Sequence, residues 1–353
     1  MVHRIGAIEH RTRGRVNIPI FRGVRERSRY PHQNKSQENE SHVVSKTTLS
    51  YCRSMTRFFP LFAILFFVDP AWASVEDSML KVGDRIESAV DRAAEKIDLT
   101  LAGKQYTRKP NPSSINLTQL VTWSEGGVVR KSTDFGVNLR LPNVEKRWQL
   151  RFSSYDEEEE SRDISQQRVR TRPRTKDYGA GLMFFEKLGK VKTSFIPRLQ
   201  LKNPLQVSYV LRFESGAELK PVRLTPRLDL YADPVKGTGE YTSMTFDIEL
   251  ARRLDLEFQN SEEYQVNDNS FNTQHGVSLD YGLSTVDGVG AAVVFASNNH
   301  PLFHLDALTA SVVYGRQIYP ERLHCALTPF LTFPKSKHFK GDAGVTGTLE
   351  LVF

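Results

Sequence analysis

The sequence predicts an all-β fold: a closed antiparallel transmembrane β-barrel of about 12–14 strands, preceded by a short periplasmic amphipathic helix. Three observations lead to this prediction. Apolar and polar residues alternate in segment after segment beyond Ile115. Short and long connections fall at opposite ends of these segments. An export signal is combined with an alternating last strand that ends in Phe353.

The amino terminus contains the export signal. Residues 55–73 form a predicted signal peptide, with an apolar core of suitable length and small residues, Ala71 and Ala73, before a cleavage site at Ser74. Residues 1–54 are polar, Arg-rich and without apolar periodicity. We interpret them as a non-native upstream segment, with a genuine disordered tail as the alternative.

Residues 74–112 are predicted to form a periplasmic amphipathic helix and a linker. Apolar residues recur every three or four positions from 75 to 97, which marks one face of a helix. Pro110 and Pro112 end the helical character. The helix either packs beneath the barrel or serves as a plug or partner-binding element, and the barrel itself is predicted to occupy 113–353.

The strand prediction depends on a period of two residues. In 222–230, Val222, Leu224, Pro226, Leu228 and Leu230 alternate with polar side chains. Many of the segments are ten or more residues long, as a tilted strand across lipid requires. Strands in lipid must pair every backbone group, so we expect them to close into a barrel.

The connections predict a sidedness. If the last strand ends on the periplasmic side, the longest loop, Asp156–Lys176, lies outside. The short connections all become periplasmic: 142–146, 187–190, 214–217, 251–253 and 317–320.

The charge of the chain gives no reason to expect nucleic acid binding. The formal net charge is +7, but residues 1–73 hold 12 Lys/Arg and 5 Asp/Glu, which leaves 36 of each sign in 74–353. The sequence also contains no run of 18 apolar residues, so it predicts no spanning helix.

The strongest functional hint lies in the residues predicted to face the lumen. They are largely basic on early strands and largely acidic on later ones, with Asp134, Glu214 and Asp229 as exceptions. If water separates the two groups, they create a transverse field that sorts solutes; if they pair directly, they close the lumen. The basic arc comprises Arg140, Arg151, Lys192, Arg198, Arg212, Arg223 and Arg227, and the acidic arc comprises Asp247, Glu249, Asp255, Glu257 and Asp280.

The longest loop carries an acidic run, Glu157–Glu160, and then a basic run between Arg168 and Lys176. The functional interpretation is that its basic part meets lipopolysaccharide phosphates and its acidic part holds divalent cations. The simpler interpretation is a solvated loop that neutralises itself, and this is the one we expect.

The sequence predicts no catalytic site, metal site or cofactor. His275 and Ser278 lie three apart on a strand and therefore point to opposite faces, so they form no dyad. His300 and His304 lie near an outer loop without a partner at a diagnostic spacing. No phosphate-binding loop, dinucleotide fingerprint or nucleophile elbow is present.

The carboxy terminus carries the pattern of an insertion signal in Leu349, Leu351 and Phe353, and resembles the signature that the outer-membrane assembly machinery of Gram-negative bacteria reads. More narrowly, the chain from residue 75 onward resembles an uncharacterised family of proteobacterial outer-membrane β-barrel proteins. The shared pattern is an amphipathic leader, a segment like Leu139–Phe152, an acidic run like Asp156–Glu160 and an aromatic end.

This resemblance implies a fold and a location in the outer membrane of a Gram-negative bacterium, with outer-membrane lipid, lipopolysaccharide and the assembly machinery as partners. It implies no activity. We expect a channel for small polar or charged solutes. A structural or surface-binding barrel with a filled lumen is the alternative, and an outer-membrane hydrolase is less favoured.

Overall fold

The computed structural model describes residues 85, 88–89, 91–100, 113–140, 148–319 and 322–353. The predicted upstream segment, the signal peptide with Ala71, Ala73 and Ser74, and the proline-containing linker lie outside these residues. Positions 91–100 are helical, as the spacing of apolar residues predicts for this region, and the helix continues beyond residue 97. No helix among the described residues combines the length and apolar character needed to cross a membrane.

Fourteen strands follow. The segments 206–214 and 217–219 are separated by an interruption at 215–216. We count them as one strand, β6, because both pair with the same following strand in one continuous register. The strands are β1 Ser114–Ser124, β2 Val128–Arg140, β3 Trp148–Ser153, β4 Gly179–Leu188, β5 Val191–Gln200, β6 Gln206–Glu214 with Ala217–Leu219, β7 Val222–Asp233, β8 Gly237–Ala251, β9 Leu254–Gln265, β10 Ser270–Gly282, β11 Asp287–Asn298, β12 His304–Tyr319, β13 Leu323–Pro334 and β14 Asp342–Val352.

The sheet closes on itself. Each strand pairs antiparallel with the next, and β14 pairs with β1 from Asn116↔Val352 to Ser124↔Gly344. The closing ladder is completed by Ile115 N donating to Phe353 O at 2.9 Å and Phe353 N donating to Ile115 O at 2.8 Å. The predicted closed antiparallel barrel is therefore confirmed, with fourteen strands.

Two predicted connections are misplaced. Residues 317–319, expected in the connection 317–320, belong to β12. The turn expected at 214–217 lies instead at 220–221, and β6 continues to Leu219. The interruption faces Pro226, which has no N–H to donate to the ladder. Ser215 N still donates to Pro226 O at 3.1 Å, so the strand resumes its register beyond the break.

The two faces of the barrel wall have inverted polarity relative to a soluble protein. On β1, Leu117 and Val121 point outward and are 39% and 37% exposed, whereas Thr118 and Thr122 point inward and are buried. Leu199, Val277 and Leu349 continue this exposed apolar surface on other strands. Exposed apolar side chains around a closed barrel are suited to lipid rather than water, which makes this a transmembrane barrel.

The barrel has two rims. The lower rim holds the start of β1 and Phe353, together with the short connections 189–190, 220–221 and 252–253. The upper rim holds the longest connection, 154–178, between β3 and β4. This loop contains two short helices, α1 (Glu157–Glu160) and α2 (Ile164–Arg168).

Candidate functional site in the barrel lumen

The loop 154–178 runs through the lumen. It contacts Arg212 on β6, Gln274 on β10 and Thr346 on β14, which lie on different sides of the closed barrel. A single loop can reach all three only from inside. The prediction of a solvated outer loop is therefore wrong, because the charged groups of the loop find opposite charges on the lumen wall.

Helix α1 carries the acidic run. The side chain of Asp156 caps it by accepting from Glu158 N at 3.0 Å and Glu159 N at 3.1 Å. Four consecutive glutamates occupy this first turn, where the positive end of the helix dipole favours negative charge. The cap and the dipole explain why so acidic a sequence is helical here.

The carboxylate of Glu158 bridges two strands of the wall. It accepts from Arg212 Nη2 on β6 at 2.5 Å, and from Arg151 Nη1 on β3 at 3.3 Å. Glu157 lies beside it, 3.5 Å from the same Arg151 Nη1. Burial raises the pKa of the Glu157 carboxyl group, although the positive charge of Arg151 opposes this shift. Helix α1 is thus seated on the basic side of the lumen.

Asp229 organises this basic seat. Its side chain is fully buried and accepts from Arg212 Nε at 2.8 Å and from Arg227 Nε at 2.9 Å. Arg227 also reaches the loop, donating from Nη2 to Ser161 Oγ at 2.9 Å, and lies 5.1 Å above the ring of Tyr241. One wall carboxylate therefore holds two guanidinium groups in place for the loop.

Helix α2 is seated differently. Gln274 of β10 accepts from Ile164 N at 2.7 Å and donates to the capping residue Asp163 at 3.2 Å. The Ile164 side chain is 1% exposed and lies over Gly276, where an added Cβ would be 2.9 Å from Ile164 Cγ2. The missing side chain at Gly276 provides the space that Ile164 occupies.

Two arginines of the loop face carboxylates on the side of the lumen opposite α1. Arg168 contacts Glu257 of β9, and its Nη1 lies 3.5 Å from Asp280 Oδ2 of β10. Arg162 Nε is 3.4 Å from Glu263 Oε1, and its guanidinium group lies 4.3 Å from the centre of the Tyr231 ring. The acidic arc therefore receives Arg168, whereas the basic arc receives the glutamates of α1.

Both ends of the loop are anchored by buried Arg198 of β5. It donates to Tyr155 O at 2.9 Å and to Asp177 O, at the two ends of the loop. Within the loop, Arg174 Nη2 donates to Glu160 Oε1 at 2.8 Å, and its guanidinium group lies 3.9 Å above the Tyr155 ring. Burial alone would lower the pKa of Arg174, but the hydrogen bond and charge of Glu160 raise it overall.

The strand registers place all the predicted arc residues on the lumen face, at different depths. Near the lower rim, Arg223 pairs with Glu218 at 3.6 Å. The arc residues in contact with the loop are Arg151, Arg198, Arg212, Arg227, Glu257 and Asp280. The arc residues for which no hydrogen bond or ion pair with the loop is seen within the described chain are Arg140, Lys192, Arg223 and Glu249.

The arcs neither face each other across water at the level of the loop nor pair directly there, because the loop lies between them. Sequence reasoning missed Glu263, Gln274 and Gly276 as contacts of the loop. The sequence does contain a signal for the position of the loop: the loop is acidic before it is basic, whereas the lumen residues of the strands are basic before they are acidic.

A small cavity remains beside α1, between Arg162, Arg198 and Tyr231. Its volume is about 20 Å³, which is room for roughly one water molecule.

The histidines considered from the sequence lie apart from the lumen contacts. His275 points outward and pairs through Nδ1 with Asn260 Oδ1 at 2.9 Å. At the upper rim, His304 Nε2 lies 3.9 Å from Asp306 Oδ1. Among the residues that the structure describes, no three His, Cys, Asp or Glu side chains form a group that could hold a metal ion.

Comparison with known proteins gives fold likenesses only. No family model matches the chain, and no curated protein matches it. Similar solved structures include Pseudomonas putida OprB (10% identity, 68% of this chain, 94% of that chain, TM-score 0.46). A second is the outer membrane channel DcaP of Acinetobacter baumannii (8% identity, 68% of this chain, 96% of that chain, TM-score 0.44). A third is Pseudomonas aeruginosa OpdK with vanillate (9% identity, 68% of this chain, 98% of that chain, TM-score 0.42). These TM-scores are below 0.5, so the description of the barrel rests on its own strand pairing.

Proposed function

We propose that this chain is a channel of a bacterial outer membrane, in which the loop 154–178 restricts the lumen to small polar or charged solutes. The observation that carries the proposal is the position of this loop. It crosses the lumen, and Glu158 and Arg168 bind the basic and the acidic arc respectively. Charged groups around a constriction select solutes by size and charge.

The location and the partners are part of this proposal. Leu349 and Leu351 share the outward face of β14, the strand that closes the barrel on β1, and Phe353 follows this strand and pairs with Ile115. An apolar face on the closing strand supports its role as the signal read by an assembly machinery in a Gram-negative cell. Outer-membrane lipid and lipopolysaccharide would then surround the barrel.

Ion conductance of the purified protein in a planar lipid bilayer tests the channel. We expect the wild type to conduct, and a variant in which a short Gly-Ser linker replaces 157–174 to conduct more, because the constriction is removed. A variant with the same linker length at 335–341 of the upper rim is the control, since no contact between that turn and the loop 154–178 is seen among the described residues.

A barrel with a filled lumen remains the second candidate, and one observation favours it. Ile164 and Val169 of the loop are both buried at 1% exposure, which is typical of packed structure rather than of a loop that yields to solutes. In that case the wild type would not conduct, whereas the linker variant would.

A further inference from the structure

The seat of Glu158 has the composition of an anion-binding site. Its carboxylate lies between guanidinium groups from two strands, Arg151 of β3 and Arg212 of β6. Arg227 of β7 lies beside them and donates to the backbone oxygen of Ser161 at 3.1 Å. Guanidinium groups that converge from separate strands are the usual means of binding a carboxylate or a phosphate.

The charges of this part of the wall do not balance without the loop. Three cationic side chains, Arg151, Arg212 and Arg227, meet here, and the wall carboxylate of Asp229 contacts two of them. Glu214 lies opposite Arg227 in the ladder, so the arginines of the wall still outnumber its carboxylates. Glu158 and Glu157 of α1 supply the opposing carboxyl groups, so the loop occupies the position that an external anion would otherwise take.

Helix α1 is held by contacts that an anion can replace. It has only four residues, all of them glutamate, and it buries no apolar side chain of its own. Glu159 is 54% exposed and pairs with Lys236 at the upper rim, a type of contact worth little in water. A solute carboxylate can offer Arg151 and Arg212 the same hydrogen bonds that Glu158 offers them.

We propose that Arg151, Arg212 and Arg227 form a binding site for organic dianions, and that Glu158 of the loop is a built-in competitor for it. The inference rests on the proposed channel, since the solute must reach the lumen. A dicarboxylate that binds the wall displaces α1, and anything that holds α1 in place weakens the binding of the dicarboxylate, because the two events are thermodynamically linked.

The position of the loop can be measured without any conductance. The loop contains trypsin sites after Arg170 and Arg174. The side chain of Arg174 is 10% exposed and pairs with Glu160 while the loop is docked, so displacement of the loop should make it accessible. We expect succinate to accelerate trypsin cleavage of the folded, detergent-solubilised wild type several-fold over NaCl of equal ionic strength. Inorganic phosphate in a parallel arm shows whether the site also accepts phosphate.

Two variants of the same helix make the test specific. Glu158→Gln should be cleaved fast without succinate and should respond little to it, because the competitor has been weakened. Glu159→Gln changes a neighbouring, exposed glutamate and should behave as the wild type. Equal cleavage of the wild type in succinate and NaCl would overturn the proposal, and so would a Glu158→Gln variant as resistant as the wild type.

A crosslink provides the converse control. An added Cβ at Gly276 would be 2.9 Å from Ile164 Cγ2, close to the separation of a Cβ atom from the far sulfur of a disulfide. Ile164→Cys with Gly276→Cys, in a Cys52→Ser, Cys325→Ser background, should give an oxidised form in which succinate no longer accelerates cleavage. A persisting succinate effect in the oxidised form would contradict displacement of the loop.

Bilayer recordings separate the two proposals. Conductance without a succinate effect on cleavage would refute the anion site and leave the channel standing. A succinate effect on cleavage in a protein that never conducts would support the anion site and refute the channel.

Discussion

The two helices of the lumen loop are held by opposite means. Helix α1 is attached through carboxylates that meet Arg151 and Arg212, with no apolar side chain of its own buried. Helix α2 buries Ile164 over Gly276, and a hydrogen-bonded glutamine, Gln274, fixes its start. The first contact depends on charge, whereas the second depends on shape.

This difference predicts different responses to solution conditions. Ion pairs weaken as salt screens them or a competing ion replaces one partner, whereas salt does not weaken apolar contact in this way. Solutes therefore compete directly with α1, whereas the apolar contact of α2 opposes displacement of the loop as a whole. Three changes test this division, from the largest expected effect to the smallest.

Asp229→Asn should have the largest effect, because it removes the carboxylate that holds Arg212 and Arg227 beneath α1. Breaking a buried ion pair by removing one partner costs about 3–5 kcal/mol. We expect the temperature at which the folded barrel changes its migration on a detergent gel to fall markedly. Glu159→Gln, at an exposed pair, should leave that temperature unchanged, and an unchanged temperature in Asp229→Asn would show that the two arginines do not depend on it.

Ile164→Ala should weaken α2 alone. Truncating a buried isoleucine costs about 2–5 kcal/mol, since apolar contact is lost and a cavity remains. We expect faster trypsin cleavage of the loop together with a preserved response to succinate, because the seat of Glu158 is intact. Ile318→Ala, at an outward-facing isoleucine that is 51% exposed, is the matched control. Loss of the succinate response in Ile164→Ala would contradict the separation of the two seats.

The smallest effect concerns pH. Burial raises the pKa of Glu157 in the docked loop, despite Arg151, and a displaced loop in water has the ordinary value. The docked loop therefore binds the proton more tightly, so docking strengthens as the pH falls through the raised pKa and weakens as it rises. The dependence is at most about 1.4 kcal/mol per pH unit, the limit for one proton. Conductance should decrease on acidification, and Glu157→Gln should remove this contribution.

The fold was predictable because the period of a strand fixes which side chains share a face. Leu224 and Leu228 had to point away from Arg223 and Arg227 wherever the strand lay, so both lumen arcs could be assigned before the register was known. The break in β6 was harder, because its cause, Pro226, is on the neighbouring strand. A proline is visible in the sequence, but the residue that it faces across the ladder is not.

The direction of the loop could not be predicted from its composition. Glu157–Glu160 and Arg168 would be equally soluble in water and in a lumen lined by the opposite charges, so composition does not separate the two positions. Only the contacts with Arg212, Glu257 and Asp280 decide between them. The seat of α2 depends on Gly276, which has no side chain and so leaves room for Ile164. The sequence alone does not show that these two residues face each other.

The pairing of β14 with β1 has a consequence for assembly. The ring is joined by the first and last strands, so its final contacts link Asn116 with Val352, at opposite ends of the barrel sequence. Such distant ends are slow to find each other, because the entropy of the intervening chain opposes their meeting. In the closed ring the loop touches Arg212, Gln274 and Thr346, which lie on different sides of it. The segment that restricts the lumen thus also joins parts of the ring that are far apart in sequence.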